Sequence, residues 1–513
     1  MFDVVFIVPN NSKNIYQGLS TKYSAIETPT WALLLAQSCR SKNFKVFILD
    51  TNAENLDDKT SLEKIEQLKP KLINFVVYGQ NVNAGTTNMS GTVRLSNYLK
   101  SKGIKIPISV IGSHVQALPI ETLKKEKSID FVFTNEGVYA LHNLLKTNLK
   151  LSDLEKTKGI AYRDENTIKI NEPEKIVPQE RLDYDLPGYA WDLLPYKKKP
   201  FDLYRSPLWH AEYEEEFRSP YAAIQTSLGC MFGCDFCMIN IINRDNNNEI
   251  GVASDYSKMR YWSTDFIINE FKNLISYGVK TIKITDEMFL LNPKYYIPLC
   301  EKLGELNRED ELKMWAYSRI DTVKKPETLQ KVRKAGIKWL CLGIESGDKK
   351  IRLEASKGKF EDVDVRQIIK RIHEADIEVM ANYIFGLPGD NIETMKKTLD
   401  LSIELCTSGW NAYAAMALPG SYLYKKSLDN NYELPKSYEG YSFHSYDTIP
   451  LATNHLKSYE ILQFRDNAFH EYHSNPNFLK RIEKKFGQNA KENILSSLQI
   501  KLRRKIIEEN IQN

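Results

Sequence analysis

Short β-branched runs alternate with helix-length amphipathic stretches over most of this chain, and that alternation restricts its fold more than any other feature. In the first 150 residues the unit recurs five times. Strands are predicted at 4–8, 46–49, 72–77, 106–111 and 129–133, and helices around 31–40, 61–68, 90–99, 118–125 and 138–145. Such alternation implies a parallel sheet with helices on both faces, the doubly wound α/β arrangement. A sheet of this kind holds its ligand across the carboxyl ends of its strands. Here those ends run into polar segments at 10–18, 78–88, 112–114 and 135–137, longer than structure alone requires, which favours a bound ligand.

The pattern fades over 151–215, where Pro187, Pro195, Pro200 and Pro207 interrupt a stretch carrying Tyr184, Tyr189, Trp191, Tyr196 and Trp209. This reads as a connector packed over other domains. Alternation resumes over 216–420, with strands predicted at 222–226, 281–285, 313–317, 339–344, 379–385 and 412–417. Six βα units suggest a barrel or partial barrel with its chemistry at the strand C-termini. The helix predicted at 265–277 has clear ends, Ser263 or Thr264 as N-cap and Gly278 just beyond. Residues 421–513 start aromatic and finish in Lys- and Arg-rich amphipathic helices, a mostly helical cap.

Length and charge narrow the function. A chain of 513 residues is enough for several domains. With 70 Lys and Arg against 66 Asp and Glu, a net charge of +4 gives no field able to hold a phosphate backbone, so nucleic acid is not expected as a partner. The longest wholly apolar runs, 412–418 and 31–36, fall short of the ~18–20 residues a membrane span needs. The N-terminus reads as a strand and not as a signal peptide. A cytoplasmic chain without a membrane partner follows, its seven cysteines reduced.

Three of those cysteines, Cys230, Cys234 and Cys237, stand in LGCMFGCDFCMIN directly after the first strand of the second alternation. Three thiolates this close converge only if the chain wraps around a centre, which Gly229 and Gly233 permit. A zinc ribbon would supply four ligands as two pairs. Cys39, Cys300, Cys341 and Cys406 are isolated within predicted helices or strands and read as small buried hydrophobes. Three ligands for a cofactor that wants four suit a [4Fe–4S] cluster with one iron left open.

With this triad the chain resembles the radical S-adenosylmethionine (SAM) superfamily, and the likeness runs in strand order over 215–420. It implies that the open iron takes the amino and carboxylate groups of SAM, and that an electron from the cluster cleaves SAM to a 5′-deoxyadenosyl radical. An external flavodoxin- or ferredoxin-type donor would supply that electron. The resemblance sets Phe236 near the adenine, and Asp286 and Glu287, in KTIKITDEMFLLNP, near the SAM amino group. It sets Arg319, in WAYSRIDTV, near the SAM carboxylate, and Glu345 and Ser346, in LGIESGDKKI, toward the ribose and methionine. The backbone at Ile384 and Gly386, in ANYIFGLPGDNIET, would lie along the adenine. Read without the resemblance, the acidic pair equally starts a helix, and Gly386 equally serves a tight turn.

A flavodoxin-like domain ahead of such a barrel resembles the cobalamin-dependent branch of the superfamily, most closely in VIGSHVQALPIETL and FTNEGVYAL. The branch implies cobalamin held between the N-terminal strand ends and the barrel mouth. The D-x-H-x-x-G signature of His ligation to cobalt is absent. Asn81, Ser113, His114 and Glu136 stand where cofactor contacts are expected, His114 as a candidate ligand. The expected architecture is a Rossmann-like cobalamin domain at 1–150, a connector at 151–215, a TIM-like partial (β/α)6 radical SAM barrel at 216–420 and a C-terminal cap at 421–513. The expected activity is methyl transfer to an unactivated carbon of a small-molecule substrate. Cyclisation or rearrangement without methyl transfer is the alternative within the branch, and a non-catalytic cobalamin or iron–sulfur sensor the alternative outside it. The aromatic connector and YEGYSFHSYD, at 438–447, suit cavity walls and simple packing equally well.

Overall fold

Both alternating halves form parallel sheets. The computed structural model describes residues 1–78, 82–165, 167–196, 204–206, 219–323, 325–356, 360 and 362–511. In the first sheet β1 (Phe2–Val8), β2 (Val46–Asp50), β3 (Pro70–Val76), β4 (Ile108–Ile111) and β5 (Phe131–Phe133) run parallel in the order β2-β1-β3-β4-β5. That order reverses direction between β1 and β3, the switch point at which doubly wound sheets open a crevice. Two more strands, β6 (Ile160–Asp164) and β7 (Thr167–Ile170), extend the β5 edge antiparallel. Sequence periodicity does not announce them. Both are short, and β7 has no fully buried residue, so no apolar run marks it.

The second sheet is the curled half-barrel. Its strands are β8 (Tyr221–Ile224), β11 (Thr281–Ile284), β12 (Lys313–Arg319), β13 (Ile337–Glu345), β14 (Glu378–Phe385) and β15 (Gly409–Ala414), all parallel and hydrogen-bonded in that order. Between β8 and β11 the chain inserts an antiparallel pair, β9 (Ser227–Cys230) with β10 (Lys258–Tyr261). The α/β class and the six βα units are as expected, and Ser263 caps the helix Thr264–Ser276 by accepting from the Phe266 amide.

Side chains on the half-barrel divide by parity. Ala316, Leu340, Leu342, Ala381 and Ala412 face the surrounding helices and are fully buried. On the opposite parity Trp315, Arg319 and Cys341 are buried, whereas Tyr317, Gly343, Glu345, Asn382, Asn411 and Tyr413 are only half-buried. Tyr221 stacks on Trp315 at 5.7 Å although β11 runs between their strands, which puts both rings on the concave side. The concave side is therefore hollow rather than filled.

The connector's aromatic residues pack against the barrel. The Trp191 indole donates to Glu270 (2.9 Å), Tyr189 stacks on Trp191 (4.8 Å) and bonds the Gln225 backbone, and Trp262 donates to the Leu186 carbonyl (2.8 Å). Tyr184 is exposed, and Trp209 lies outside the described residues. The stretch 438–447 behaves as a wall. Tyr438 lies edge-on to His114 (5.2 Å), Phe443 to Tyr413 (4.8 Å), and the His444 ring stands beside Tyr16 (5.3 Å).

A dehydrated ion pair joins the N-terminal domain to the inserted β9–β10 pair. Glu136, expected at the cofactor, is instead bonded to Arg260 of β10 at 2.6 Å, and both side chains are essentially inaccessible. Its other oxygen accepts from the Val177 amide (2.6 Å), while Arg260 also donates to the Val177 carbonyl (2.6 Å) and Asn243 (3.0 Å). A carboxylate this deep is tolerated only when paired and hydrogen-bonded, so its lone pairs are not free for a ligand. Removing one partner strands the other charge. Arg260→Met should cost about 3–5 kcal/mol of stability, read as a lowered melting temperature, whereas the paired replacement with Glu136→Leu should recover much of the loss.

Candidate cofactor and active site

The cysteine loop begins where β8 ends. Asp286, just beyond β11, accepts from the Thr226 amide, the Thr226 hydroxyl and the Ser227 hydroxyl, each at 2.6 Å, and so ties the end of β11 to the start of the loop. Gly229 then turns the chain at φ +82° with the Lys258 carbonyl against its α-carbon, a conformation and a clearance only glycine combines. Asn240 closes the loop by accepting from the Cys230 amide (2.8 Å) and donating to the Phe232 carbonyl (3.1 Å). Outside anchors are the Ala355 carbonyl, which takes the Asp235 N–H (3.2 Å), and the Leu423 amide, which donates to the Asp235 carbonyl (2.9 Å).

The three thiols sit in a desolvated nest. Burial pushes Cys230 up to about 12 and Cys234 up to about 11, and it raises Cys237 well above the ordinary thiol range. Nearby carboxylates, Glu287 beside Cys230 and Glu345 beside Cys234, raise them further, while Arg319 opposes the rise at Cys234. Thiolates here need a strongly cationic partner. Among the described residues no three His, Cys, Asp or Glu side chains close on a single metal ion. A [4Fe–4S] cluster is held by Cys thiolates, and three of them leave one iron open. The donor set thus fits a cluster.

The carboxylates expected around SAM separate into different jobs. Asp286 is spent on Thr226 and Ser227. Glu287 is half-buried beside Cys230, one of its oxygens is inaccessible and has no hydrogen-bond partner, and desolvation with Asp286 next to it raises it to about 8. An orphaned carboxylate oxygen at this depth suits an ammonium group. Glu345 sits at φ +64° where the β13–β14 register slips, and burial lifts it to about 7 against the pull of Arg319. Arg319 itself grips Asp321 through two bonds of 2.6 Å and stacks on Phe232 (4.0 Å) and Phe360 (4.6 Å).

Phe236 packs into a small apolar group with Ile384, Leu387 and Ala415, separate from the main core, which suits the flat face of a base. Two residues stand apart from this arrangement. The buried Ser346 hydroxyl lies between Thr398 (3.2 Å) and the Asp348 amide (3.1 Å), where it braces the turn after β13. Gly386 turns at φ +81°, and its N–H is taken by Asp390 (3.0 Å).

In the N-terminal domain a cavity of about 340 Å³ opens at the switch point between β1 and β3, lined by Asn11, Tyr16, Glu27, Trp31, Tyr78 and Asn88 among others. Trp31 stacks on Tyr78 (4.7 Å), and its buried indole N–H has no partner, an unmet donor on the cavity wall. This crevice lies on the expected segments 10–18 and 78–88. Ser113 and His114 follow β4, to one side of the switch point, and do not line it. The His114 Nδ1 is within 3.2 Å of the Thr86 hydroxyl, and burial with Lys125 nearby lowers it to about 3, so the ring is neutral. Asn81 lies outside the described residues.

Sequence reasoning missed the link between crevice and hollow. Glu27, on the crevice wall, reaches Lys283 on the concave face of β11 (2.8 Å) and the Tyr221 hydroxyl. The Lys283 ammonium lies 5.3 Å from the centre of the Tyr317 ring. A lysine inside an apolar strand, TIKI, is the signal that marked it. Glu27 thus ties the crevice wall to the concave face of the half-barrel.

Comparison with known proteins agrees with this geometry. The radical SAM superfamily model matches residues 224–402, and the B12 binding domain model matches residues 16–145. The chain thus couples a B12-binding domain to a radical SAM domain. The uncharacterized methyltransferase PH0819 of Pyrococcus horikoshii is 23% identical over 452 residues, 88% of this chain and 89% of that one. The anaerobic magnesium-protoporphyrin IX monomethyl ester cyclase of Cereibacter sphaeroides is 21% identical over 416 residues, 77% of this chain but 58% of the cyclase. Among solved structures, the radical SAM methyltransferase TsrM from Kitasatospora setae, with cobalamin and a [4Fe-4S] cluster bound, aligns at a TM-score of 0.62 and 15% identity over 84% of this chain and 78% of TsrM. At that identity the likeness concerns the fold.

The two acidic neighbours give a direct check. Asp286→Ala should lower iron content after anaerobic reconstitution and cost at least about 2 kcal/mol, because Thr226 and Ser227 lose a charged acceptor. Glu287→Gln should keep its iron and weaken SAM binding about tenfold, measured by equilibrium dialysis.

Proposed function

We propose that this protein is a cobalamin-dependent radical SAM methyltransferase that methylates an unactivated carbon of a small molecule. The observation that carries the reading is the buried contact between the N-terminal crevice wall and the concave face of the half-barrel. Glu27 lines the N-terminal crevice and ends on Lys283 inside the half-barrel, whose mouth holds the cysteine loop. When bound, SAM at a [4Fe–4S] cluster supplies a 5′-deoxyadenosyl radical, and cobalamin supplies a transferable methyl group.

The chain's own residues then bind and shield. Cys230, Cys234 and Cys237 hold the cluster, the free Glu287 oxygen takes the SAM ammonium, and Phe236 with Ile384 covers the adenine. Glu345 faces the ribose. The substrate occupies the hollow, where Lys283 and the half-buried Tyr317, Asn382, Asn411 and Tyr413 offer polar contacts around aromatic faces. Tyr16, Phe443 and His444 close the hollow and keep water from a radical that would abstract hydrogen indiscriminately.

Electrons come from an external flavodoxin- or ferredoxin-type donor. The reading sets the protein in the cytoplasm, whose reducing milieu suits seven cysteines that are all free of disulfides. Among the described residues no helix is long and apolar enough to cross a membrane. The likeness to the cyclase keeps a second reading, ring formation without methyl transfer.

Turnover with methyl-labelled SAM, hydroxocobalamin and a reductant on candidate small molecules separates the readings. Label in the product supports methyl transfer, an unlabelled cyclised product supports the cyclase reading, and no 5′-deoxyadenosine at all would sink both in favour of a sensor. Lys283→Met should abolish product while leaving substrate-free formation of 5′-deoxyadenosine within about twofold of the parent.

A further inference from the structure

One residue of the N-terminal domain touches a cluster ligand. Asn83 follows β3 in the short helical turn Val82–Ala84, next to Ala84, Thr87 and Asn88 on the crevice wall. Its side-chain amide spans two adjacent points of the cysteine loop. Oδ1 accepts from the Met238 backbone N–H at 3.0 Å, and Nδ2 lies 3.9 Å from the Cys237 sulfur. The first bond fixes the orientation of the second. Rotating the amide by half a turn would set its NH2 group against the Met238 N–H, donor against donor, so the group presented to sulfur is the donor.

Other contacts to the sulfurs come from the loop's own backbone and, at Cys234, from the Arg319 side chain of the barrel. The Phe232 N–H donates to the Cys230 sulfur at 3.4 Å, and the Ile239 N–H acts on Cys237. Asn83 differs because it comes from another domain, 154 positions away in the chain. A hydrogen bond to a ligating sulfur draws electron density from it and favours the reduced, more negative state of an iron–sulfur group. The low dielectric of the buried loop strengthens the effect.

We infer that Asn83 is a positioning residue through which the N-terminal domain raises the reduction potential of the cluster at Cys230, Cys234 and Cys237. The inference rests on the cluster reading made above. Its chemistry is electrostatic: no bond is made or broken, and the electron still comes from the external donor.

The test is the midpoint potential of the full-length, anaerobically reconstituted protein, titrated with dithionite and followed by electron paramagnetic resonance. Asn83→Asp keeps the size and the acceptor for Met238 but removes the donor and adds negative charge, so the midpoint should fall below that of the parent at equal iron content. Asn83→Ser, shorter and uncharged, should fall less. Full iron content with an unchanged midpoint in both variants overturns the inference while leaving the cluster reading intact. Failure of the parent protein itself to take up a cluster overturns the cluster reading instead. If Asn83→Asp takes up no iron, Asn83→Ser decides alone, and a midpoint equal to the parent's again overturns the inference.

Discussion

A single carboxylate holds the chemistry in place. Asp286 gathers three donors from Thr226 and Ser227 and so welds the end of β11 to the first residues of the cysteine loop. Without that weld the start of the loop would keep the Tyr295 hydroxyl on the Thr226 carbonyl and the backbone anchors at Asp235, neither of which offers a charged acceptor. The cost is a charge buried at the barrel mouth, which burial makes easier to protonate. Three hydrogen bonds offset that cost, and they leave the neighbouring Glu287 as the carboxylate with an unmet oxygen.

The same accounting of polar atoms explains where ligands belong. In this structure most buried donors and acceptors are satisfied, so the exceptions are informative. The Glu287 oxygen faces the cysteine loop and the Trp31 indole faces the N-terminal crevice. Residues that looked equally suitable by chemical type are already engaged: Glu136 by Arg260, Ser346 by Thr398, and the Gly386 N–H by Asp390.

Much of the architecture was legible because parallel strands buried on both faces read as continuous apolar runs. The strands around Ile282, Leu340 and Ala381 stand out for that reason. Four-residue pieces such as β7 and β10 did not: β7 shares TIKI with β11 but lies outside the strand–helix alternation, and β10 carries Lys258 and Arg260 among its four residues. The cysteine triad was legible from its spacing together with the motifs that follow it in strand order. The division of labour between Asp286 and Glu287 was not, because consecutive residues at a strand end differ only in which way the backbone turns them. Nor was the pairing of Glu136 with Arg260, whose partners are 124 positions apart in the chain.

That pairing bears on modularity. Two separate family models describe the two halves, as though either were a cassette that evolution or an engineer might exchange. The joint between them, however, is an ion pair drained of water, supplemented by Glu27 inserted among the barrel residues Lys283 and Tyr221. A foreign N-terminal half lacking either acidic residue would leave Arg260 or Lys283 charged and unmatched in the interior. The halves can therefore be traded only as complementary pairs, and drift on one side of the joint is constrained by the other.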